Sequence, residues 1–276
     1  MPQAQGPGNF FVLGLTMKLP IYQIDAFTNT LFAGNPAAVM PLEEWLPDVQ
    51  LQAVAAENNL SETAFFVPTP RGYHIRWFTP VCEVTLCGHA TLASAYVVFN
   101  RLGFKGDTIE FDSRSGPLLV SRVGELLKLD FPTQVPEPCA LPPGLSEGLQ
   151  CEPLSCLRGK DLLAVFGCEA DIKNLRPDFN ALAKLDTRGI IATAPGDEVD
   201  FVARFFAPAA GIPEDPVTGS AYTQLTPYWA ERLNKTRMQA RQLSARGGAL
   251  TLELKGERTY IYGEAVPFLE GTVALT

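Results

Sequence analysis

Two stretches of this chain place carboxylates near a glycine that opens an apolar run. Arg76-Trp77-Phe78-Thr79-Pro80 leads into Leu86-Cys87-Gly88-His89-Ala90, and Arg204-Phe205-Phe206-Ala207-Pro208 leads into Pro216-Val217-Thr218-Gly219-Ser220-Ala221. Aligned at Arg76 and Arg204, the second copy carries three extra residues before its glycine. The loop of the second copy holds Glu214 and Asp215, and Glu62 precedes the first. Each copy reads as a strand, a proline-broken loop and a helix start. The free N–H groups and positive dipole end of a helix start hold a carboxylate or enolate oxygen. An acid beside such a start can move a proton.

Glu62 ends a helical stretch and enters the apolar run Ala64-Phe65-Phe66. Desolvation there raises a carboxyl pKa and suits it to acid–base work, although a solvent-facing acid at a strand edge fits the same letters. His89, just inside Gly88-His89-Ala90-Thr91, reads either as a hydrogen-bond donor or proton carrier, or as a polar cap. Cys87 beside it raises a Cys-His nucleophile, but neighbours this close do not face each other reliably, and His74 lies in a strand alternation. In Asp215-Pro216-Val217-Thr218-Gly219-Ser220-Ala221, Pro216 pins a turn, Thr218 is expected as N-cap, Gly219 admits a ligand, and Ser220 mirrors His89. Asp215 reads as a site acid or as a turn-stabilising one. The glycines match neither the dinucleotide nor the phosphate-loop fingerprint.

A net charge of −8 disfavours a nucleic-acid partner but leaves room for a small anion at a helix start. No apolar run approaches the roughly 20 residues that span a bilayer. Six cysteines without zinc-knuckle spacing, and two histidines, point to a reduced, cytoplasmic protein without a metal site. Residues 1–16 read as an extension upstream of the fold, because strand-like sequence begins only after Met17.

The elements that must position these residues are mostly strands. Runs rich in β-branched and aromatic residues cover 21–27, 64–67, 73–78, 108–111, 118–123 and 126–131, with Gly124-Glu125 as a tight turn. A second set covers 162–166, 189–194, 201–206, 239–244, 249–254, 259–262 and 266–269. Helices are expected from Pro47 at the first helical position to Asn58-Asn59, over 90–102, and over 221–233, where Pro227 predicts a kink or a late start. The proline-rich stretch 132–153 reads as an extended crossover rather than packed structure. The sum is an α+β fold of two pseudo-repeated lobes, 17–135 and 136–276, with the final strands free to cross back to the first. Each lobe is expected to be a curved, mostly antiparallel sheet or barrel around a central helix.

These motifs resemble those of the PhzF-like phenazine-biosynthesis proteins, within the diaminopimelate epimerase fold superfamily. The likeness runs through Asp25-Ala26-Phe27-Thr28, Phe32-Ala33-Gly34-Asn35-Pro36-Ala37-Ala38-Val39 and Asn59-Leu60-Ser61-Glu62-Thr63-Ala64-Phe65. It continues through the two helix starts, Arg246-Gly247-Gly248 and Gly263-Glu264-Ala265-Val266. The resemblance implies a cofactor-free isomerase, often a homodimer, with its site between the lobes. It implies Glu62 as proton shuttle, His89, Asp215 and Ser220 as groups that orient substrate and assist transfer, and Gly88, Ala90, Thr91, Thr218 and Gly219 as substrate-binding positions. Tyr222-Thr223 stands where many relatives have His-Cys, which puts pocket shape and substrate in question. Diaminopimelate epimerase uses a cysteine at each helix start. Here no cysteine follows Cys168 and Asp215 fills the second position, which leaves a single shuttle. The expected activity is a proton shift on a small carboxylate-bearing substrate. A non-catalytic small-molecule binder and an amino- or hydroxy-acid racemase with Asp215 as second base are the alternatives.

Overall fold

A computed structural model describes residues 17–275; the expected extension over 1–16 lies outside them. The first run of strands is β1 (Met17–Ala26), β2 (Asn35–Pro41), β3 (Glu62–Thr69), β4 (Gly72–Phe78), β5 (Glu83–Val84), β6 (Thr108–Asp112), β7 (Leu118–Val123) and β8 (Leu126–Pro132). After the short β9 (Glu137–Cys139) come β10 (Ser155–Arg158), β11 (Leu162–Val165), β12 (Ile190–Pro195) and β13 (Phe201–Ala207). Then follow β14 (Ile212–Asp215), β15 (Arg237–Gln242), β16 (Gly248–Lys255), β17 (Arg258–Gly263) and β18 (Ala265–Leu275).

The pairing pattern of β1–β8 recurs in β10–β17. In each, the first two strands are antiparallel, the second and third parallel, and the third and fourth antiparallel. The fourth pairs antiparallel with the fifth and parallel with the sixth, and a meander closes the run. β8 pairs with β17, β9 with β10, and β18 returns to β1, so the strands form one continuous hydrogen-bonded system. The architecture is α+β, with a large sheet system and few helices.

Burial follows the strand period where one face is wet: β15 buries Met238, Ala240 and Gln242 and exposes the residues between them. The parallel pair β11 and β12 is apolar and buried almost throughout, as a sheet covered on both faces requires. Helix α1 (Asp48–Asn58) lies between β2 and β3, and α2 (Gly88–Asn100) between β5 and β6. In the second half, α3 (Leu145–Leu149), α4 (Glu169–Asn174) and α5 (Phe179–Leu182) are short, and α6 (Tyr222–Leu233) takes the place of α2. The sequence gives α2 one apolar face, yet only Tyr96 and Asn100 escape full burial. Its glycine and alanines let β1, β2, β3 and β8 close around it. One core cluster spans both repeats, and smaller ones lie under α1 and under α3–α5.

Several sequence expectations change here. Pro47 is the N-cap of α1 rather than its first helical residue. Helix α6 runs unbroken through Pro227 after a 3₁₀ turn, Gly219–Ala221, which is the late start. A proline there cannot donate to Thr223, and the freed carbonyl accepts instead from the Gln134 N–H at 3.1 Å. The stretch 132–153 is packed, not merely extended: it contains β9 and α3 and buries Leu145 and Leu149 completely. Strand β2 lacks alternation and carries Pro36 and Pro41 at its ends, so no pattern flagged it.

Candidate active site

The two helix starts meet. A Cβ added to Gly88 would lie 3.2 Å from the Gly219 Cα, and one added to Gly219 would lie 3.3 Å from the Gly88 Cα. Only glycine lets two backbones come this close. The N–H groups of Gly88 and His89, which open α2, have no intrahelical acceptor, and those of Gly219 and Ser220 bond to no backbone carbonyl among the described residues. A cavity of about 430 Å³ opens over the junction. Glu62, Cys87, Gly88, His89, Asp215, Thr218, Gly219 and Ser220 line it, together with Lys160 and Arg188.

Glu62 is the first residue of β3, where the chain turns from α1 into the sheet. Its Oε2 lies 3.3 Å from His89 Nε2, within ion-pair range but off hydrogen-bond alignment, so both buried atoms lack a partner. Burial, reinforced by the nearby Asp215 charge, pushes the Glu62 carboxyl up to about 8. Burial pushes Asp215 up to about 6, opposed by hydrogen bonds from Thr218 and Asn35. The same burial pulls His89 down to about 3, so its imidazole is neutral near pH 7. Nδ1 of His89 faces the Asn35 amide nitrogen at 3.2 Å and the Cys87 thiol at 3.5 Å. Asn35 commits its two amide protons to Asp215 and the Val217 carbonyl, which leaves the Cys87 thiol as the donor toward Nδ1 in the tautomer that carries its proton on Nε2, facing Glu62.

Asn35 organises this centre, and sequence reasoning left it out of the site. Its Nδ2 donates to Asp215 Oδ1 at 2.8 Å and to the Val217 carbonyl at 2.9 Å. It thereby ties the first residue of β2 to the second helix start. Its only sequence signal is the stretch Gly34-Asn35-Pro36: Gly34 has φ +66°, and a side chain there would strike the Ala26 carbonyl. Thr218 takes the N-cap place but does not cap; its hydroxyl donates to Asp215 Oδ2 at 2.5 Å. Thr218 therefore stands at the second start where Cys87, N-cap of α2, stands at the first, and Asp215 lies outside that match.

Ala90 and Thr91 do not line the cavity: both are buried in α2, and the Thr91 hydroxyl donates back to the Cys87 carbonyl. Tyr222 and Thr223 also lie behind the cavity wall, with the Tyr222 ring against Phe201 and the Thr223 hydroxyl donating to the Ser220 carbonyl. Their effect is on packing behind the second start. Glu214 is held in a two-pronged pair by Arg204, as Glu83 is by Arg76, with Phe206 and Phe78 each 5.0 Å beneath the guanidinium. The repeated arginines are thus braces for the loops. His74 accepts from the Trp45 indole and is structural. Arg188 and Lys160 reach the cavity from loops that carry no motif, and the sequence reading missed both.

Matching the ladders shows how the repeats differ. Phe78 pairs with Thr63 and Thr63 with Ala38; Phe206 pairs with Ile190 and Ile190 with Leu162. Stepping back one residue, Glu62 falls opposite Gly189 and Ser61 opposite Arg188. The second repeat has no acid where the first has Glu62.

The donor atoms of Glu62, Cys87 and His89 lie within 4.8 Å of one another, close enough to share a cation. Burial pushes the Cys87 thiol well up, so a metal would have to displace its proton. No helix among the described residues is long and apolar enough to cross a membrane.

Paired helix starts lie under a cleft that holds a neutral histidine and two carboxyls of raised pKa, the groups that acid–base chemistry uses. The family model for phenazine biosynthesis-like proteins matches residues 24–271. An uncharacterized isomerase of Pseudomonas aeruginosa is 51% identical, over 94% of this chain and 100% of its own. Another, of Halalkalibacterium halodurans, is 46% identical over 94% and 100%. The crystal structure of a PhzF-family protein from Enterococcus faecalis superposes with a TM-score of 0.92 at 48% identity, covering 94% of this chain and 100% of that one. The chain belongs to the phenazine biosynthesis-like (PhzC-PhzF) family, and it is an isomerase.

Proposed function

We propose that the protein shifts a proton between two carbons of a small carboxylate-bearing substrate, without a cofactor, using Glu62 as the single carrier. Glu62 takes the proton from an activated carbon and returns it on the same face at an allylic position. The negative charge that develops is held by the N–H groups of the two helix starts, each such donor worth about 3 kcal/mol of barrier. Neutral His89 presents Nε2–H to the Glu62 carboxylate or to the substrate oxygen beside it. Asp215, anchored by Asn35 and Thr218, adds its charge to the burial that keeps the Glu62 pKa high.

The observation that carries this reading is the buried, unpartnered Glu62 Oε2 set against a glycine at the matched position of the other repeat. A racemase needs a base on each face of one carbon; the matched position is Gly189, and Asp215, the other carboxyl of the cavity, is engaged by Asn35 and Thr218. A pKa of about 8 lets the carboxyl both accept and release a proton near neutrality. Exchange of substrate hydrogen with D2O, followed by proton NMR, tests it: the wild type incorporates deuterium and Glu62→Gln does not. Inversion of an α-carbon without movement of a double bond would replace this reading with the racemase.

A further inference from the structure

The cavity has a second pole, cationic and supplied by the second repeat. Arg188 donates through Nε to Asp161 Oδ1 at 2.7 Å and through Nη2 to Asp161 Oδ2 at 2.5 Å. Asp161 is 1% exposed, and its carboxylate also accepts from Gln224 at 3.1 Å. Nη2 reaches Ser220 Oγ at 3.1 Å, and the guanidinium lies 5.7 Å from the Phe205 ring. A two-pronged pair of this kind fixes a planar fork in place. Nη1 bonds to no protein group among the described residues, and the Arg188 side chain, which lines the cavity, is 37% exposed.

Lys160 lines the same wall, and no carboxylate among the described residues comes within 4.0 Å of its ammonium. Its side chain keeps solvent access, yet the surrounding protein and the Arg188 charge pull its pKa down, with Asp161 opposing. Support of Asp161 and Ser220 explains why Arg188 is there. It explains neither the free Nη1 nor a second cation set beside an arginine whose charge Asp161 already balances, which leaves this wall with one unpaired positive charge.

We propose that Arg188 and Lys160 form a subsite for a second acid group, so that the substrate is a small diacid, with one acid at the helix starts and the other on this pole. A carboxylate and a phosphate share the chemistry required, since the free Nη1 edge and the ammonium suit either. This rests on the proton-shift reading of the same cleft, and it narrows the substrate class.

The test is calorimetric titration at low salt with succinate, glutarate and 2-phosphoglycolate, each against its mono-amide or monoester, on wild type, Lys160→Met and Lys160→Glu. Wild type is expected to prefer at least one diacid over its monoacid by tenfold or more. Lys160→Met should cut that ratio to about threefold or less, and Lys160→Glu should abolish it while circular dichroism stays native. A dicarboxylate preference and a phosphate preference each support the subsite and identify its acid. Equal affinity for diacid and monoacid in wild type, no binding of any diacid, or an unchanged ratio in Lys160→Met would overturn it. Glu62→Gln run alongside separates the two ideas, because it should keep the diacid ratio whether or not proton exchange survives.

Discussion

Glu62 owes its raised pKa to standing where β3 begins, buried with no donor aligned on Oε2 and with the Asp215 charge nearby. Its proton stays on to about pH 8 in the folded chain, against an ordinary value of 4.5. For this group, stability is therefore fully present below about pH 4.5 and is lost as pH rises through 8. Glu62→Gln keeps the side chain neutral, so its melting temperature should exceed that of wild type by a margin that grows between about pH 5 and 8. The same variant should lose at least a thousandfold in turnover. His89 acts in the opposite direction: held down to about 3, it takes stability away as pH falls from 6.5. Because proton removal needs the Glu62 carboxylate, kcat/KM should climb with pH to a plateau above an apparent pKa near 8. A flat profile from pH 6 to 9 would take Glu62 out of the chemistry. Glu62, His89, Asp215 and Ser220 were legible because each sits beside a helix start or an apolar strand. Asn35 and Arg188 were not, since their roles depend on partners 180 and 32 positions away that spacing cannot reveal, and Lys160 was not, because only the fold brings it to the cavity wall beside Arg188.

At the scale of elements, the account depends on two helix starts that almost touch. Gly219→Ala sets a methyl 3.3 Å from the Gly88 Cα and 3.6 Å from the Phe27 ring, so the starts must separate by a few tenths of an ångström. A tenfold or larger fall in kcat is expected, with a melting point within a few degrees of wild type; an unchanged kcat would show that the junction is not the anion site. Asn35→Ala removes the donor shared by Asp215 and the Val217 carbonyl and leaves a buried carboxyl short of a partner. It should cost about 2 kcal/mol in urea denaturation, with kcat falling more than KM rises. Most strands were readable from alternation and turn residues. β2 was not, because a strand that runs parallel to β3 and is buried on both faces carries no alternation, and prolines at Pro36 and Pro41 mask it. The persistence of α6 through Pro227 was equally hidden, because the Gln134 N–H that relieves it comes from the crossover.

For the whole molecule, the repeats are joined by contacts distant in sequence, and the cleft is asymmetric. Arg246 donates to Asp25 at 2.8 Å and to the carbonyls of Ala33 and Gly34, so the end of the second half holds the loop that delivers Asn35. Asp25 is 1% exposed, while Arg246 keeps partial solvent access. Arg246→Met should therefore cost about 2 kcal/mol, less than the roughly 3–5 of a fully buried pair, and should lower kcat through Asn35. The motif Asp25-Ala26-Phe27-Thr28 and the motif Arg246-Gly247-Gly248 were visible as separate sequences; that they clasp each other was not. The repeat itself was visible in the letters, and the ladders show where it breaks: matched frames carry Glu62 on one side and Arg188 beside Gly189 on the other.

The most direct measurement is solvent-deuterium incorporation by wild type and Glu62→Gln, with dihydro-3-hydroxyanthranilate and a panel of small mono- and dicarboxylic acids, read by proton NMR. The account predicts deuterium at the carbon that receives the proton, a shifted double bond with wild type, and neither with Glu62→Gln. Exchange by Glu62→Gln at the wild-type rate would contradict it, as would a wild type that binds these acids and exchanges none of them.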